Sequence, residues 1–149
     1  MKQTKLHKII HDLESKKFAT HAGTDMHAQM AKIKFCDGDF VGPEDIISKI
    51  KSNMELCEIM GPFSRAEVPL AGYIDGTFLS RRIDRLYVNE TAKTVIVLDY
   101  KTDIDKKRYY EKYRVQLTEY YKLLKEIFPV FNIKCKILWL NDFTLENVI

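Results

Sequence analysis

The stretch Val95-Ile-Val-Leu-Asp99-Tyr-Lys101-Thr102 decides the fold, because an apolar run ends there in an acid and a lysine. Four aliphatic residues in succession predict a strand that is buried on both faces of a sheet. Side chains two positions apart on a strand point to the same side, so Asp99 and Lys101 are expected to emerge together. A buried carboxylate beside an ammonium is costly to place. The pattern therefore favours a site that binds a cation and handles a phosphate.

The composition indicates one globular domain of ordinary character. The chain has 149 residues, of which 46% are hydrophobic and 30% charged, and its net charge of +3 is compatible with a nucleic-acid partner. No apolar run is long enough to span a membrane and no signal peptide is present, so we expect a cytoplasmic protein. The three separated cysteines suggest neither a disulfide framework nor a metal motif, and a phosphate-binding GxxxxGK[ST] motif is absent.

The spacing of apolar residues predicts helices first and a sheet afterwards. Helical spacing recurs in three early segments: 6–17, 24–35 with Thr24 as N-cap, and 43–60 with Pro43 at the first position. The segment 36–42 between two of them is expected to be a loop. Period-two alternation then predicts four strands: 65–71, 77–88, 94–101 and 133–140. A long helix at 107–128 separates the last two strands, and a short final segment is expected to add an edge strand.

This order of elements predicts an α/β fold with a mixed, mostly antiparallel central sheet flanked by helices. A short turn places the strand that carries Asp84 antiparallel to the strand that carries Asp99, so the two carboxylates are expected to share a cation. Such oxygen ligands suit Mg²⁺ or Mn²⁺. Lys101 is expected to stabilise charge that develops on a phosphate, and His27 offers a further ligand from an early helix.

Residues of the long helix and of the second strand are candidates for holding nucleic acid. Gln116 and Tyr120 lie about one turn apart on one helix face. Four further tyrosines make this helix a suitable surface for a nucleic-acid strand: Tyr109, Tyr110, Tyr113 and Tyr121. Of these, Tyr109 and Tyr113 also belong to the predicted apolar face of the helix. Basic residues that are expected to contact backbone phosphates are Arg81, Arg82, Arg85 and the run Lys106–Arg108.

Five short motifs follow one another along the chain: GTxxH (Gly23–His27), ExP (Glu67–Pro69), IDR (Ile83–Arg85), LDYKT (Leu98–Thr102) and QLxxY (Gln116–Tyr120). In these motifs and their order, from about Gly23 to Leu140, the chain resembles the RecB-type nuclease domains of the PD-(D/E)xK superfamily. A DxK pair alone recurs by chance, whereas the ordered set is specific. The chain departs from the pattern before the IDR motif, where Arg81-Arg82 stand and a glycine is usual.

The resemblance implies a restriction-endonuclease-like core in one domain over 1–149, with a helical part at 1–62 and the catalytic sheet and helix at 63–149. It implies a Mg²⁺ or Mn²⁺ site and a catalytic lysine, Lys101. The metal ligands that it implies are His27, Asp84, Asp99 and the Tyr100 carbonyl. The further residues that it implies are Glu67 as a supporting acid and Gln116 and Tyr120, which help to position DNA.

The function that the resemblance implies is hydrolysis of DNA phosphodiester bonds with a divalent ion. We expect an exonuclease that acts in double-strand break repair and recombination. The similarity is to the C-terminal nuclease domain of AddA-type subunits, so the expected partners are DNA, a helicase portion of the same polypeptide and a second helicase–nuclease subunit. Two alternatives from other classes stay open: a DNA-binding module of the same fold with little or no turnover when isolated, and a protein-interaction domain.

Overall fold

The computed structural model describes residues 25–149 of the chain, which begin with a helix, α1, at 25–31. The further helices are α2 (Glu44–Lys51), α3 (Met54–Ile59) and α4 (Lys106–Ile127). The strands are β1 (Lys34–Cys36), β2 (Asp39–Val41), β3 (Ser64–Ile74), β4 (Thr77–Asn89), β5 (Thr94–Lys101), β6 (Asn132–Trp139) and β7 (Thr144–Asn147). The predicted helix at 6–17 and the predicted N-cap Thr24 lie outside the described residues.

Five strands form a mixed sheet in the order β3-β4-β5-β6-β7. Every neighbouring pair is antiparallel except β5 and β6, which run parallel and are joined by α4. A parallel pair needs such a crossover because the chain must return to the edge at which the first strand began. The structure thus confirms the predicted α/β class, with a mixed, mostly antiparallel sheet flanked by helices and a short edge strand at the end.

The sheet is the middle of three layers, and each of its faces packs on a separate core. On one face α1, α2, α3 and the β1–β2 hairpin cover Tyr87, Leu98 and Tyr100. On the other face α4 covers Val97 and its neighbours. Since successive side chains of a strand alternate between faces, Asp99 and Lys101 point towards α4. No helix within 25–149 has the length and apolar character that crossing a membrane requires.

The structure corrects the prediction for the N-terminal part in four places. α1 ends at 31 rather than 35, and the β1–β2 hairpin at 34–41 occupies the end of the predicted helix and most of the expected loop; its turn residues Asp37 and Gly38 both have positive φ. The predicted helix at 43–60 is two helices, because the side chain of Asn53 accepts a hydrogen bond from the Leu56 amide at 3.1 Å and caps α3. Pro43 precedes α2 as its N-cap residue.

β3 and β4 extend further than predicted, and both exchange faces near Glu67 and Asp84. Ile83 packs in the core under α4, whereas Arg85, two residues later, contacts backbone carbonyls of the α1 layer. Glu67 has a φ of 54°, a left-handed conformation that residues other than glycine rarely adopt. β4 pairs with β5 only as far as Arg85. The two strands therefore separate at Asp84, and a gap opens between them.

Candidate active site

Two carboxyl groups meet at the gap between β4 and β5. Arg85 is the last β4 residue paired with β5, opposite Leu98, so Asp84 and Asp99 follow on either side of the opening. The two groups are close enough for the charge of Asp84 to raise the pKa of Asp99. The Tyr100 amide donates to Oδ2 of Asp84 at 2.8 Å, in place of a backbone partner. Because the NH and C=O of an extended residue point to the same side, the Tyr100 carbonyl also faces this gap.

His27 reaches the same gap from α1. Its Nε2 lies 3.4 Å from Oδ2 of Asp84, and its ring meets that of Tyr100 edge-on with centroids 5.9 Å apart. Arg85 connects α1 to the sheet, because its guanidinium donates to the carbonyl of Met30 in α1 and to that of Ile33 just after the helix. The imidazole and the two acids, which are far apart in sequence, are thus neighbours in the structure.

Lys101 lies beside Asp99 on the α4 side of β5. Its Nζ is 2.9 Å from Oδ2 of Asp99 and donates to Oε1 of Gln116 at 3.0 Å. The same ammonium lies 4.2 Å from the centroid of the Tyr113 ring, a cation–π contact. Gln116 in turn donates to the Tyr120 hydroxyl at 2.8 Å. These contacts from α4 hold the ammonium at a fixed position beside the buried acid.

The two acids differ in their affinity for a proton. Burial raises the pKa of Asp99 to about 7, with the charge of Asp84 adding to the shift and Lys101 opposing it. Burial also disfavours the charged form of Asp84, but hydrogen bonds from His27 and the Tyr100 amide outweigh it and hold the pKa below its ordinary value. At neutral pH Asp84 is ionised, and Asp99 is the acid whose ionised form gains most from an added cation.

The chemistry of these groups fits a small divalent cation. Oδ2 of Asp99 is buried and forms an ion pair with the Lys101 ammonium at 2.9 Å, outside the angles of a regular hydrogen bond. A carboxylate oxygen has more than one lone pair, so this oxygen can also bind a cation. Carboxylate and carbonyl oxygens are the ligands that Mg²⁺ and Mn²⁺ prefer, so Asp84, Asp99 and the Tyr100 carbonyl are the residues that would hold the ion, joined by His27.

The side chains form paired contacts rather than an assembled metal centre. Within the part of the chain that the structure describes, no group of three or more His, Cys, Asp or Glu side chains is arranged to hold an ion. His27 contacts Asp84, and Lys101 neutralises Asp99. Each of the two acids is therefore paired with a basic side chain of the protein.

Three residues of the predicted site lie outside this cluster. Glu67 lies on β3 across from Asp84, but its half-exposed side chain is 3.9 Å from Arg82. Arg81 points towards α4 and pairs with Glu119 at 3.3 Å. The side chain of Arg82 is 68% exposed, which leaves it open to a phosphate. The supporting role predicted for Glu67 is therefore without a contact to the two acids in this structure.

The prediction that Arg85 contacts phosphates is wrong, because this residue is 2% exposed. Its guanidinium donates inside the protein, to the Ser64 hydroxyl, to the Tyr100 hydroxyl and to backbone carbonyls. Its spacing of two residues from Tyr87, on the same face, is compatible with burial, but the carbonyls that accept from it are distant in the chain and decide the outcome. Tyr113 packs against the core as predicted and in addition contacts Lys101. Its position about one helical turn before the QLxxY motif was the available signal.

The raised pKa of Asp99 predicts that stability depends on pH when divalent ions are absent. An acid whose pKa is raised by folding contributes stability at low pH, and this contribution is lost as the pH rises through the folded value. For Asp99 the window lies between its ordinary value of 3.8 and about 7. We expect the free energy of unfolding in EDTA to lose up to about 4 kcal/mol from this group between pH 4 and pH 8.

Urea denaturation of the wild type and of Asp99→Asn across this pH range measures the contribution. Asp99→Asn is expected to show a flatter pH dependence than the wild type. Asp75→Asn makes the same chemical change in an exposed turn with positive φ, which asparagine tolerates, so it should keep the wild-type slope. Identical slopes for the wild type and Asp99→Asn would contradict the prediction.

Comparison with known proteins does not assign a family. A scan against protein-family models finds no match to this chain, and a search of the curated proteins finds none either. The interpretation of the site therefore depends on its geometry and on the order of its sequence motifs.

Proposed function

We propose that this chain is a metal-dependent DNA nuclease domain of the RecB type, with a PD-(D/E)xK fold and exonuclease action. The observation that carries the proposal is the cluster at the gap between β4 and β5, where the buried Asp99 carboxyl group lies beside Asp84 and its Oδ2 is 2.9 Å from the Lys101 ammonium. Two acids and an ammonium at one point suit a phosphodiester held against a divalent cation. The ordered sequence motifs support the choice of family.

In this proposal His27, Asp84, Asp99 and the Tyr100 carbonyl hold Mg²⁺ or Mn²⁺. When bound, such an ion supplies Lewis acidity and a water of lowered pKa. Lys101 donates a hydrogen bond to a non-bridging phosphate oxygen, where negative charge grows as the nucleophile attacks.

The residues of α4 support this role of Lys101. Gln116 orients the ammonium through its 3.0 Å hydrogen bond, and Tyr120 fixes the Gln116 amide from the next turn of the helix. Burial and the charge of Asp99 raise the pKa of Tyr120 to about 12, so its hydroxyl stays neutral at physiological pH. The network can therefore position the ammonium without adding a negative charge near the phosphate.

Cleavage assays with two DNA forms test the proposed activity. Purified protein is incubated with Mn²⁺ and either end-labelled linear DNA or closed circular DNA of the same sequence. Loss of the linear DNA with the circle intact supports exonuclease action, whereas cleavage of the circle means that the enzyme is an endonuclease. No cleavage of either form above that of Asp99→Asn would contradict the nuclease proposal.

Binding of Mn²⁺ is expected to raise the melting temperature of the wild type but not of Asp84→Asn or Asp99→Asn. A ligand present at 100 times its Kd stabilises the native state by about 2.7 kcal/mol, which is roughly 5–10 °C for a domain of this size. Thermal denaturation with and without Mn²⁺ measures the shift. Asp75→Asn is the matched control and should respond as the wild type does. A wild type that does not respond, or variants that respond equally, would argue against this site.

A second candidate function is a DNA-binding module with little or no turnover in isolation. The observation that favours it is that both acids have a partner within the protein, His27 for Asp84 and Lys101 for Asp99. In that case DNA binding persists while Mn²⁺ neither supports cleavage nor stabilises the fold through Asp84 and Asp99. The thermal and cleavage assays together separate the two functions.

We further propose that the domain works with a helicase portion of the same polypeptide and with a second helicase–nuclease subunit, in double-strand break repair and recombination. The support for this assembly is the similarity of the motif order to AddA-type subunits. A motor that moves DNA would keep supplying strand to a site that hydrolyses it. Faster cleavage by the assembled complex than by the isolated domain, in the presence of ATP, is the expected result.

A further inference from the structure

Four residues on the first half of α4 form a continuous surface that leads to Lys101. Arg108, Tyr109, Lys112 and Tyr113 are neighbours because residues three and four positions apart share a helix face. The Arg108 guanidinium lies 5.4 Å from the centroid of the Tyr109 ring. The rings of Tyr109 and Tyr113 stack with centroids 6.2 Å apart, and Tyr113 meets the Lys101 ammonium. We name these four residues the α4 strip.

The two cationic side chains of the α4 strip are not ion-paired with a carboxylate in 25–149, and the Asp103 carboxylate at the end of the strip accepts a hydrogen bond from the Tyr113 hydroxyl. Arg108 and Lys112 are exposed and form no ion pair with a described residue. Glu111, the acid nearest in sequence, is bound by Arg114 with an Nε–Oε2 distance of 3.0 Å. Two unneutralised cations beside an aromatic stack match a polymer in which phosphates alternate with flat bases.

We infer that the α4 strip binds single-stranded DNA and leads it to the gap between β4 and β5, an inference that rests on the proposed nuclease function. Arg108 and Lys112 bind backbone phosphates, and the Tyr109 ring provides a surface for base stacking. A single strand fits better than a duplex because Asp99 is 3% exposed and a phosphate must enter a recess to reach it. Duplex DNA is stiff over such lengths, whereas an unpaired strand bends freely.

Binding of a fluorescein-labelled oligo(dT) in EDTA, followed by anisotropy at several salt concentrations, tests the phosphate contacts without turnover. Each contact to a single strand adds about 0.7 to the slope of log K against log salt. The double variant Arg108→Gln/Lys112→Gln is therefore expected to bind more weakly, with a slope less steep by about 1.4. Lys122→Gln, on the second half of the same helix, is the matched control and should keep the wild-type slope.

Substitution of Tyr109 tests the stacking contact. Tyr109→Leu is expected to weaken oligo(dT) binding by about 5- to 150-fold, whereas Tyr109→Phe keeps the ring and should stay within about twofold of the wild type. Phe63→Leu removes an exposed aromatic ring outside the α4 strip and should leave binding unchanged. Melting temperatures establish that each variant is folded, and recovery in Tyr109→Phe separates ring stacking from a loss of structure.

Two results would overturn this inference: a wild-type salt slope in the double variant, or equal affinity for a duplex of the same length. Failure of the nuclease proposal gives a different result. Binding is measured in EDTA and cleavage is measured with Mn²⁺, so the two results are obtained independently. If the variants of the α4 strip bind DNA more weakly but the wild type cleaves no DNA, the nuclease proposal alone is refuted. If the wild type cleaves DNA but the variants bind it as tightly as the wild type, the inference about the α4 strip alone is refuted.

Discussion

Lys101→Ala is expected to lower the rate of Mn²⁺-dependent DNA cleavage by about 10²- to 10³-fold, the range found when one charge-stabilising donor is removed from an active site. Its ammonium lies 2.9 Å from Asp99 and is oriented by Gln116 and by the ring of Tyr113. Alanine removes the positive charge where the phosphate becomes most negative. We expect this to be the largest effect of any single lysine on the rate.

Initial rates on end-labelled DNA at saturating Mn²⁺ measure the effect. Lys134→Ala is the matched control, because Lys134 is exposed on β6 and makes no ion pair within the described chain. Lys134→Ala should cleave at the wild-type rate. A folded Lys101→Ala protein that cleaves as fast as Lys134→Ala would remove Lys101 from the chemistry.

Arg85→Met is expected to lower the free energy of unfolding by about 3 kcal/mol. Hydrogen bonds to charged groups contribute about 1.5–3 kcal/mol each, and an acceptor left buried without a donor costs about 1–3 kcal/mol. Arg85 serves the Ser64 hydroxyl, the Tyr100 hydroxyl and the carbonyls of Met30 and Ile33. Methionine fills part of the space but donates to none of these groups. Because the variant no longer buries a charged guanidinium, the desolvation penalty of that charge is absent, and this offsets part of the loss in stability.

Arg82→Met is the matched control, since Arg82 is on the same strand and largely exposed. Its expected change in unfolding free energy is within about 0.5 kcal/mol. Urea denaturation of the two variants, with melting temperatures lower by roughly 6–12 °C for Arg85→Met, measures the difference. Equal stability of the two variants would mean that the bonds from Arg85 do not hold α1 on the sheet.

Weaker attachment of α1 also affects the proposed metal site, because α1 carries His27. We expect Arg85→Met to bind Mn²⁺ less tightly than Arg82→Met at temperatures where both are folded. The comparison tests whether the buried Arg85 guanidinium, which holds α1 on the sheet, also affects metal binding.

The central strand and the helix that follows it were predictable from local patterns. β5 begins at Thr94 and ends at Lys101 in both the prediction and the structure, because an uninterrupted apolar run has few alternatives to a buried strand. The alternation of side chains along a strand was enough to predict that Asp99 and Lys101 lie on the same face of the sheet. α4 begins and ends one residue from its predicted bounds, and Pro129 explains its end.

The N-terminal part was less predictable because local interactions, which compete with the regular helix or strand pattern, determine its secondary structure. The side chain of Asn53 competes with helix continuation, and Asp37-Gly38 closes a hairpin too short to show a clear alternation. Both signals are present in the sequence but extend over only three or four residues. A prediction from apolar spacing uses longer segments and therefore misses them.

The sequence by itself determined the layers of the fold and the residue types of the candidate site, because burial periodicity and motif order are local properties of a chain. Only the tertiary structure decided that β4 and β5 separate at Asp84, that Glu67 turns to Arg82 and that Arg85 is buried under α1. These outcomes depend on which strand face each helix covers, and residues distant in the chain set that choice. An arginine in a strand can be buried only where carbonyls from distant parts of the chain accept its hydrogen bonds.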